Sequence, residues 1–141
     1  MALSARYLAD KSALARLGRP AVGARLEPLI ESGLVATCSV VLLELLFSAR
    51  SPSDYRVTRE PLSLALELVP MDQAILDRAV ELQALLAERS QHRGVALPDL
   101  MIAATAERHG LVVLHYDVDY DLVAAVSGQA TEWVVERGSV P

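Results

Sequence analysis

A buried β-strand with an acid just beyond it is predicted by the segment Leu111-Val112-Val113-Leu114-His115-Tyr116-Asp117. A short, continuous apolar run that is rich in valine is typical of a strand covered on both faces. Gly110 ends a preceding helix that begins at Pro98, and another helix is predicted over residues 119–126. Helix, strand and helix in this order indicate a unit of a parallel α/β sheet.

The same alternation extends in both directions from this segment. Further strands are predicted over residues 6–9, 34–38 and 132–135, in addition to 111–115. Further helices are predicted over residues 12–17, 21–32, 40–49, 52–59, 62–68 and 72–93. Ser39 is the expected N-cap of the helix at 40–49, and Pro61 is expected to separate the two helices that flank it. The chain is therefore predicted to have an α/β fold with a parallel sheet.

Length and composition limit the classes of protein to consider. A chain of 141 residues with 52% hydrophobic residues fits a single domain, predicted over 1–141, with one core. The net charge of −5 argues against a nucleic-acid binder that relies on its own basic residues. It does not argue against a metal-dependent nuclease, because divalent cations can supply positive charge locally.

Residue usage adds two expectations. Lys11 is the only lysine among the 13 basic residues, an excess of arginine that suits phosphate binding but would also follow from a high-GC coding bias. Cys38 is the only cysteine, so no intrachain disulfide can form, and a reducing, cytoplasmic location is expected. The longest largely apolar run, residues 34–47, is too short to span a bilayer and contains Glu44, so no membrane association is expected.

Four acids stand beside apolar segments, where an unpaired carboxylate is costly. Asp10 and Asp117 each follow a predicted strand, at the edge of a parallel sheet where ligands bind. Asp99 lies in the first turn of its helix, and Glu44 interrupts a helix that is apolar nearly all round. Because such a helix is usually buried, Glu44 is expected to face something polar. Together the four acids predict a cation site.

Each acid also has a purely structural interpretation. Asp10 and Asp117 are placed to cap the helices that follow them, and Asp99 suits the positive end of a helix. Glu44 has the weakest such explanation, although an arginine could pair with it. If the acids do cluster, carboxylates without a cation repel one another, and at least one of their pKa values should be raised.

Competing motifs fail on spacing. Asp117-Val118-Asp119-Tyr120-Asp121 imitates the start of a calcium loop, but Leu122 and Gly128 occupy the positions that require Gly and Glu. A strand followed by Asp-x-Asp also suggests an aspartyl-phosphate phosphatase, yet the 20 residues after Asp121 contain no lysine and no further aspartate. No glycine-rich phosphate loop and no Gly-x-Ser-x-Gly motif is present.

An ordered set of segments carries a family resemblance that covers essentially the whole chain. The segments are Tyr7-Leu8-Ala9-Asp10-Lys11-Ser12-Ala13-Leu14, Glu44-Leu45-Leu46, Pro98-Asp99-Leu100-Met101-Ile102-Ala103-Ala104 and Leu114-His115-Tyr116-Asp117-Val118-Asp119-Tyr120. Together they resemble PIN domains, and more closely the VapC-type toxins of bacterial type II toxin–antitoxin pairs. No single segment is specific; their order and spacing are.

The resemblance implies a three-layer α/β/α sandwich around a parallel sheet and an endoribonuclease that depends on Mg²⁺ or Mn²⁺. It matches Asp10, Glu44, Asp99 and Asp117 to the acidic quartet of the family. Asp10 and Asp99 are the first choices for direct metal ligands, with Glu44 and Asp117 completing the site or orienting a water. The resemblance also matches Asp119 to a less regular fifth acid and Ser12 to a small hydroxyl residue that supports the ligands. Tyr120 stands where such toxins usually have Phe.

The resemblance further implies an RNA substrate, homodimerisation, and a VapB-type antitoxin whose tail lies in the active-site groove. Specificity for RNA is expected to lie in surface arginines, with Arg50, Arg56, Arg59 and Arg93 as candidates. Two alternatives stay open at this point. One is a housekeeping PIN nuclease of RNA maturation or decay, and the other is a non-enzymatic interaction module with a degenerate acid site.

Overall fold

A five-stranded, entirely parallel sheet forms the centre of the protein in a computed structural model that describes residues 4–141. The strand order is β3-β2-β1-β4-β5, which places β1 between β2 and β4. Leu8 of β1 lies opposite Ala36 on one side and Val113 on the other. The strands are β1 (Tyr7–Ala9), β2 (Val35–Thr37), β3 (Glu67–Leu68), β4 (Val112–His115) and β5 (Thr131–Trp133).

Within residues 4–141, seven helices connect and cover these strands. They are α1 (Lys11–Leu14), α2 (Pro20–Glu31), α3 (Ser39–Phe47), α4 (Pro52–Ala65), α5 (Gln73–Ala87), α6 (Leu97–His109) and α7 (Asp119–Ser127). Successive residues of a strand point to opposite faces of the sheet. Leu8 and Ala9 are both fully buried, as are Val113 and Leu114, so helices cover both faces of the central strands. The predicted α/β fold with a central parallel sheet is confirmed.

The chain between residues 52 and 68 differs from the prediction. One helix, α4, runs through Pro61, where the sequence predicted a break between two helices. No residue of α4 is buried, so the carbonyl of Val57, which loses its partner at Pro61, stays accessible to water. The predicted helix at 62–68 is wrong at its end: Glu67–Leu68 form β3, because their backbone pairs with Ala36 and Thr37 of β2.

Some helix boundaries also differ. Helix α5 ends at Ala87 rather than at residue 93, and Ser90 adopts a left-handed conformation (φ 56°) that a continuing helix cannot contain. Helix α1 ends at Leu14 instead of residue 17. The N-cap of α3 is Cys38 and not Ser39, which is already the first helical residue.

Helix α3 is less buried than its apolar composition predicts. Only Val41 and Leu46 are buried, whereas Leu43 is 67% exposed and Phe47 is 91% exposed. The expectation that this helix lies in the core is therefore wrong, and α3 leaves an apolar surface uncovered. Among residues 4–141, no helix is long and apolar enough to cross a membrane.

Candidate metal centre

The carboxyl ends of β1 and β4 bring Asp10 and Asp117 to the same edge of the sheet. The backbone N–H of Asp10 donates to the carbonyl of Leu114 at 2.9 Å, which continues the pairing of the two strands by one residue. Asp117 stands two residues beyond the end of β4. Asp10 is almost completely buried, with 2% exposure. A buried carboxylate therefore lies directly after the central strand of the sheet.

Three donors fix the carboxylate of Asp10. Its Oδ2 accepts from the backbone N–H and the hydroxyl of Ser12, at 3.0 and 2.6 Å, and its Oδ1 accepts from the Tyr120 hydroxyl at 2.8 Å. The Ser12 hydroxyl in turn accepts from the backbone N–H of Tyr116 at 2.8 Å. One serine thus ties the end of β1 to the segment that follows β4 and holds Asp10 in a single orientation.

Helices α3 and α6 add Glu44 and Asp99 to this edge. Oxygens of Asp10, Glu44 and Asp99 all lie within 4.8 Å of one another, and Asp99 is only 5% exposed. The ammonium of Lys11 lies 3.4 Å from Glu44 Oε2. The other oxygen of Glu44, Oε1, is buried and has no hydrogen-bond partner among residues 4–141.

A second group of acids shares Asp99 with the first. Oxygens of Asp99, Asp117 and Asp119 also lie within 4.8 Å of one another. Asp117 Oδ1 accepts from the backbone N–H of Asp119 at 2.9 Å, and Asp119 Oδ2 accepts from the backbone N–H of Ala96 at 3.0 Å. His115 Nδ1 accepts from the backbone N–H of Asp117 at 3.1 Å. The predicted quartet and fifth acid therefore occupy one continuous cluster, with Asp99 at its centre.

The electrostatics of the cluster match the expectation for carboxylates without a cation. Burial, hydrogen bonding with Asp119 and the nearby charges of Asp10 and Asp117 raise the pKa of Asp99 to about 9. Burial is also the main cause that raises the pKa of Asp117. At least one pKa is raised, as expected, but burial contributes more to the rise than the repulsion between carboxylates from which it was predicted. Burial lowers the pKa of His115 to about 4, so this ring is neutral at pH 7.

The donor set suits a hard divalent cation. All its ligand atoms are carboxylate oxygens, which Mg²⁺ and Mn²⁺ prefer. Cys38 is buried, and burial raises the pKa of its thiol, so the cluster gains no thiolate that would favour a softer metal. Glu44 Oε1 is buried and has no hydrogen-bond partner in the part of the chain that the structure describes. A bound cation would supply the partner that this oxygen lacks.

Other sequence candidates lie elsewhere. Asp121 accepts from the Trp133 indole N–H at 3.1 Å and belongs to the α7–β5 contact instead of the cluster. His115 is fully buried, and its ring packs between those of Tyr120 and Trp133. The arginines considered for RNA binding are all exposed; they are Arg50, Arg56, Arg59 and Arg93.

The contact between Tyr120 and the acids was not anticipated from the sequence. The sequence shows only a Phe-to-Tyr difference from the expected pattern, and 110 residues separate Tyr120 from Asp10. One signal in the sequence could have indicated this contact. Tyr120 carries a hydroxyl that Phe lacks, and it lies only three residues after the candidate ligand Asp117.

Comparisons with known families and structures agree with this fold. The PIN domain family matches residues 7–126. Ribonuclease VapC21 of Mycobacterium tuberculosis is 47% identical over 137 residues, which cover 97% of this chain and 99% of that protein. Ribonuclease VapC51 of the same species is 46% identical over 138 residues, covering 98% and 99%. The chain therefore belongs to the PIN-domain family, and these relatives are VapC proteins.

Solved structures support the same fold. A DNA-bound VapBC complex from Salmonella typhimurium aligns with a TM-score of 0.76 at 20% identity, covering 93% of this chain and 99% of that one. A toxin–antitoxin complex from Klebsiella pneumoniae aligns with a TM-score of 0.69 at 26% identity, covering 92% and 98%. At such identities the alignments establish the architecture, while the VapC relatives establish the family.

Proposed function

We propose that this protein is the toxin of a type II toxin–antitoxin pair and acts as a divalent-metal-dependent endoribonuclease. The observation that carries the proposal is the group formed by the buried Asp10 and Asp99 and the half-buried Glu44, whose oxygens lie within 4.8 Å of one another. The similarity of this protein to two proteins named ribonucleases, along nearly their whole length, supports RNA as the substrate. An intact acid group in this position disfavours a non-enzymatic interaction module.

Each acid has a proposed part. Asp10 and Asp99 bind the cation, Mg²⁺ or Mn²⁺, because they are the most buried carboxylates of the group. Glu44, through its unpartnered Oε1, and Asp117 complete the site or orient a water for in-line attack on the phosphodiester. When bound, the cation supplies positive charge against the negative charge that develops on the scissile phosphate.

Supporting residues keep the ligands in place before any cation arrives. Ser12 holds Asp10 with two hydrogen bonds, which removes the need to reorganise this carboxylate on binding. Asp119 holds the turn after β4 through its contact with Ala96 and lies within reach of Asp99. Lys11 neutralises part of the charge of Glu44 at the rim of the site.

Cleavage of RNA by the purified protein in the presence of Mn²⁺ tests this proposal. Asp99→Asn keeps the shape of the side chain but removes the shared ligand, so we expect the cleavage rate to fall by at least about 100-fold, since a lost ligand costs several kcal/mol. Asp77→Asn is the matched control, because Asp77 is exposed and its carboxylate bonds Gln73 on the same helix. Undiminished cleavage by Asp99→Asn would exclude the assigned site.

We propose a VapB-type antitoxin as the partner, with its tail in the active-site groove, and the cytoplasm as the location. The support is that structural neighbours are toxin–antitoxin complexes, among them the VapBC complexes. A housekeeping nuclease would share the same site but not this partner. A small adjacent upstream gene for a DNA-binding protein, whose product co-purifies with the chain, is expected for the toxin. Its absence would favour the housekeeping alternative.

We also propose that the protein forms a homodimer through an exposed apolar face. This apolar face consists of side chains of α3, α5 and α6 that surround Met101: Leu43, Phe47, Val80 and Leu97. Each of these four side chains is more than half exposed, and exposed apolar side chains grouped in this way are typical of protein interaction surfaces. A second copy of the chain is the proposed occupant.

A further inference from the structure

We propose that Tyr120 is a positioning residue, whose hydroxyl holds Asp10 and Asp99 in the arrangement that binds the cation. This inference rests on the proposed function, because it assigns a role toward the same cation. It concerns a side chain outside the predicted quartet, and it makes the hydroxyl, rather than the ring alone, important for metal binding.

The contacts of the hydroxyl carry the inference. Tyr120 is fully buried, and its oxygen lies 2.8 Å from Asp10 Oδ1 and 3.3 Å from Asp99 Oδ1. A phenol has one proton to donate, so the two carboxylates share one donor. Within the described chain, no backbone N–H donates to the side chain of Asp99, so this shared donor is the main fixed contact between Asp99 and Asp10.

The ring is held independently of the acids. It lies in the first turn of α7, and its centroid is 4.9 Å from that of His115, which in turn lies 5.0 Å from the Trp133 ring. Because this packing fixes the ring, the position of the hydroxyl is set by the core and not by the carboxylates. The hydroxyl therefore acts as a rigid reference point to which both acids are aligned.

A purely structural role makes a different prediction. If Tyr120 only fills the core, a phenylalanine at this position would serve equally well, since the two rings occupy nearly the same volume. If the hydroxyl positions the acids, its removal leaves Asp10 with the two contacts from Ser12 and leaves Asp99 with the side chain of Asp119 as its remaining hydrogen-bond partner. Metal affinity should then fall, as it commonly does by about tenfold or more when a group that orients a ligand is removed.

Calorimetric titration of the metal-free protein with Mn²⁺ tests the inference in Tyr120→Phe. We expect a dissociation constant for Mn²⁺ about tenfold larger than that of wild type. The melting temperature should also rise less on adding Mn²⁺ than it does for wild type. The Mn²⁺ concentration for half-maximal RNA cleavage should rise by a similar factor, while the rate at saturating Mn²⁺ largely recovers. Tyr55→Phe, on the exposed helix α4, is the matched control and should behave as wild type.

The outcomes separate this inference from the proposed function. Equal or tighter Mn²⁺ binding by Tyr120→Phe, in a protein whose wild type binds Mn²⁺ and whose Asp99→Asn variant does not, would overturn the positioning role alone. A wild type that does not bind Mn²⁺ at millimolar concentrations would overturn both. A melting transition of Tyr120→Phe without metal, as sharp as that of wild type, shows that the variant is folded.

Discussion

The four acids differ in how well ordinary structural roles explain them. Asp10 is the N-cap of α1 and accepts from the backbone N–H of Ser12, so it satisfies the capping interpretation. Asp117 lies one residue before the N-cap of α7, Val118, but still accepts from the first backbone N–H of that helix. Asp99 caps nothing in the described chain, although it is buried at the start of α6. Glu44 has a lysine partner for only one of its two oxygens. Asp99 and Glu44 are therefore the members that most require a cation.

The raised pKa of Asp99 predicts how stability depends on pH without metal. The folded protein retains a proton on Asp99 up to about pH 9, whereas the unfolded chain loses it near its ordinary value of 3.8. The free energy of unfolding should therefore decrease as pH rises between these values, by on the order of a few kcal/mol. His115 acts in the opposite sense, since its lowered pKa costs stability as pH falls from 6.5 toward about 4.

Asp99→Asn isolates the contribution of this carboxyl. In the presence of a chelator, wild type should lose more stability than the variant between pH 6.5 and pH 9, measured by denaturant unfolding. The contribution of His115 is common to both proteins and cancels in the comparison. The same pH dependence in both proteins would show that Asp99 ionises normally and that the cluster does not hold its proton.

At the scale of elements, the buried strands could be predicted because their signals are local. Strands β1, β2 and β4 are short apolar runs next to helix boundaries, and β5 was located to within two residues. Strand β3 could not be predicted, because its two residues are exposed and only their pairing with β2 makes them a strand. Helix α4 passes Pro61 for a similar reason, since its exposed surface tolerates the missing hydrogen bond.

The same distinction applies to the site. The edge rule for parallel sheets predicted that Asp10 and Asp117 would lie together, and the backbone bond between Asp10 and Leu114 accounts for it. Nothing local in the sequence showed that α3 and α6 would direct Glu44 and Asp99 to that edge; the family resemblance supplied it. The bond from Tyr120 to Asp10 depends on packing across the whole core, so neither approach revealed it.

The glycine that ends α6 before β4 allows a test of whether a left-handed backbone is needed at this position. Gly110 has a left-handed backbone (φ 67°), and a Cβ there would meet no heavy atom within 4 Å. Gly110→Ala should therefore destabilise the protein by about 1 kcal/mol through backbone strain alone. Gly18→Ala is the control, since Gly18 is equally open and is not in the left-handed region. The melting temperature of each variant is the measurement. An equal decrease in both variants would contradict this explanation.

The whole molecule combines a buried acid cluster with an exposed apolar face on neighbouring helices. Glu44 and Phe47 belong to the same helix, and both line a hollow with Lys11 and Met101. A second copy bound to the apolar face would therefore lie close to the cluster. The proposed dimer would bring two cation sites toward one shared surface.

Phe47→Asp tests the proposed dimer. Phe47 is 91% exposed, so the change should not destabilise the protomer but should prevent burial of the apolar face. Light scattering after size exclusion should give twice the 15.2 kDa chain mass for wild type and a single chain mass for the variant. Leu64→Asp, at an 83% exposed site on α4, is the control and should remain dimeric. A monomeric wild type would contradict the proposal.

The most direct test of the central claim is the rate of RNA cleavage by purified protein as a function of Mn²⁺ concentration. For wild type, we predict no cleavage with a chelator, saturable cleavage as Mn²⁺ is added, and the loss of activity when the chelator is restored. For Asp99→Asn, cleavage should stay at least about 100-fold lower at every concentration. Metal-independent cleavage by wild type, or equal cleavage by Asp99→Asn, would contradict the assignment of the acid cluster as the metal-dependent active site.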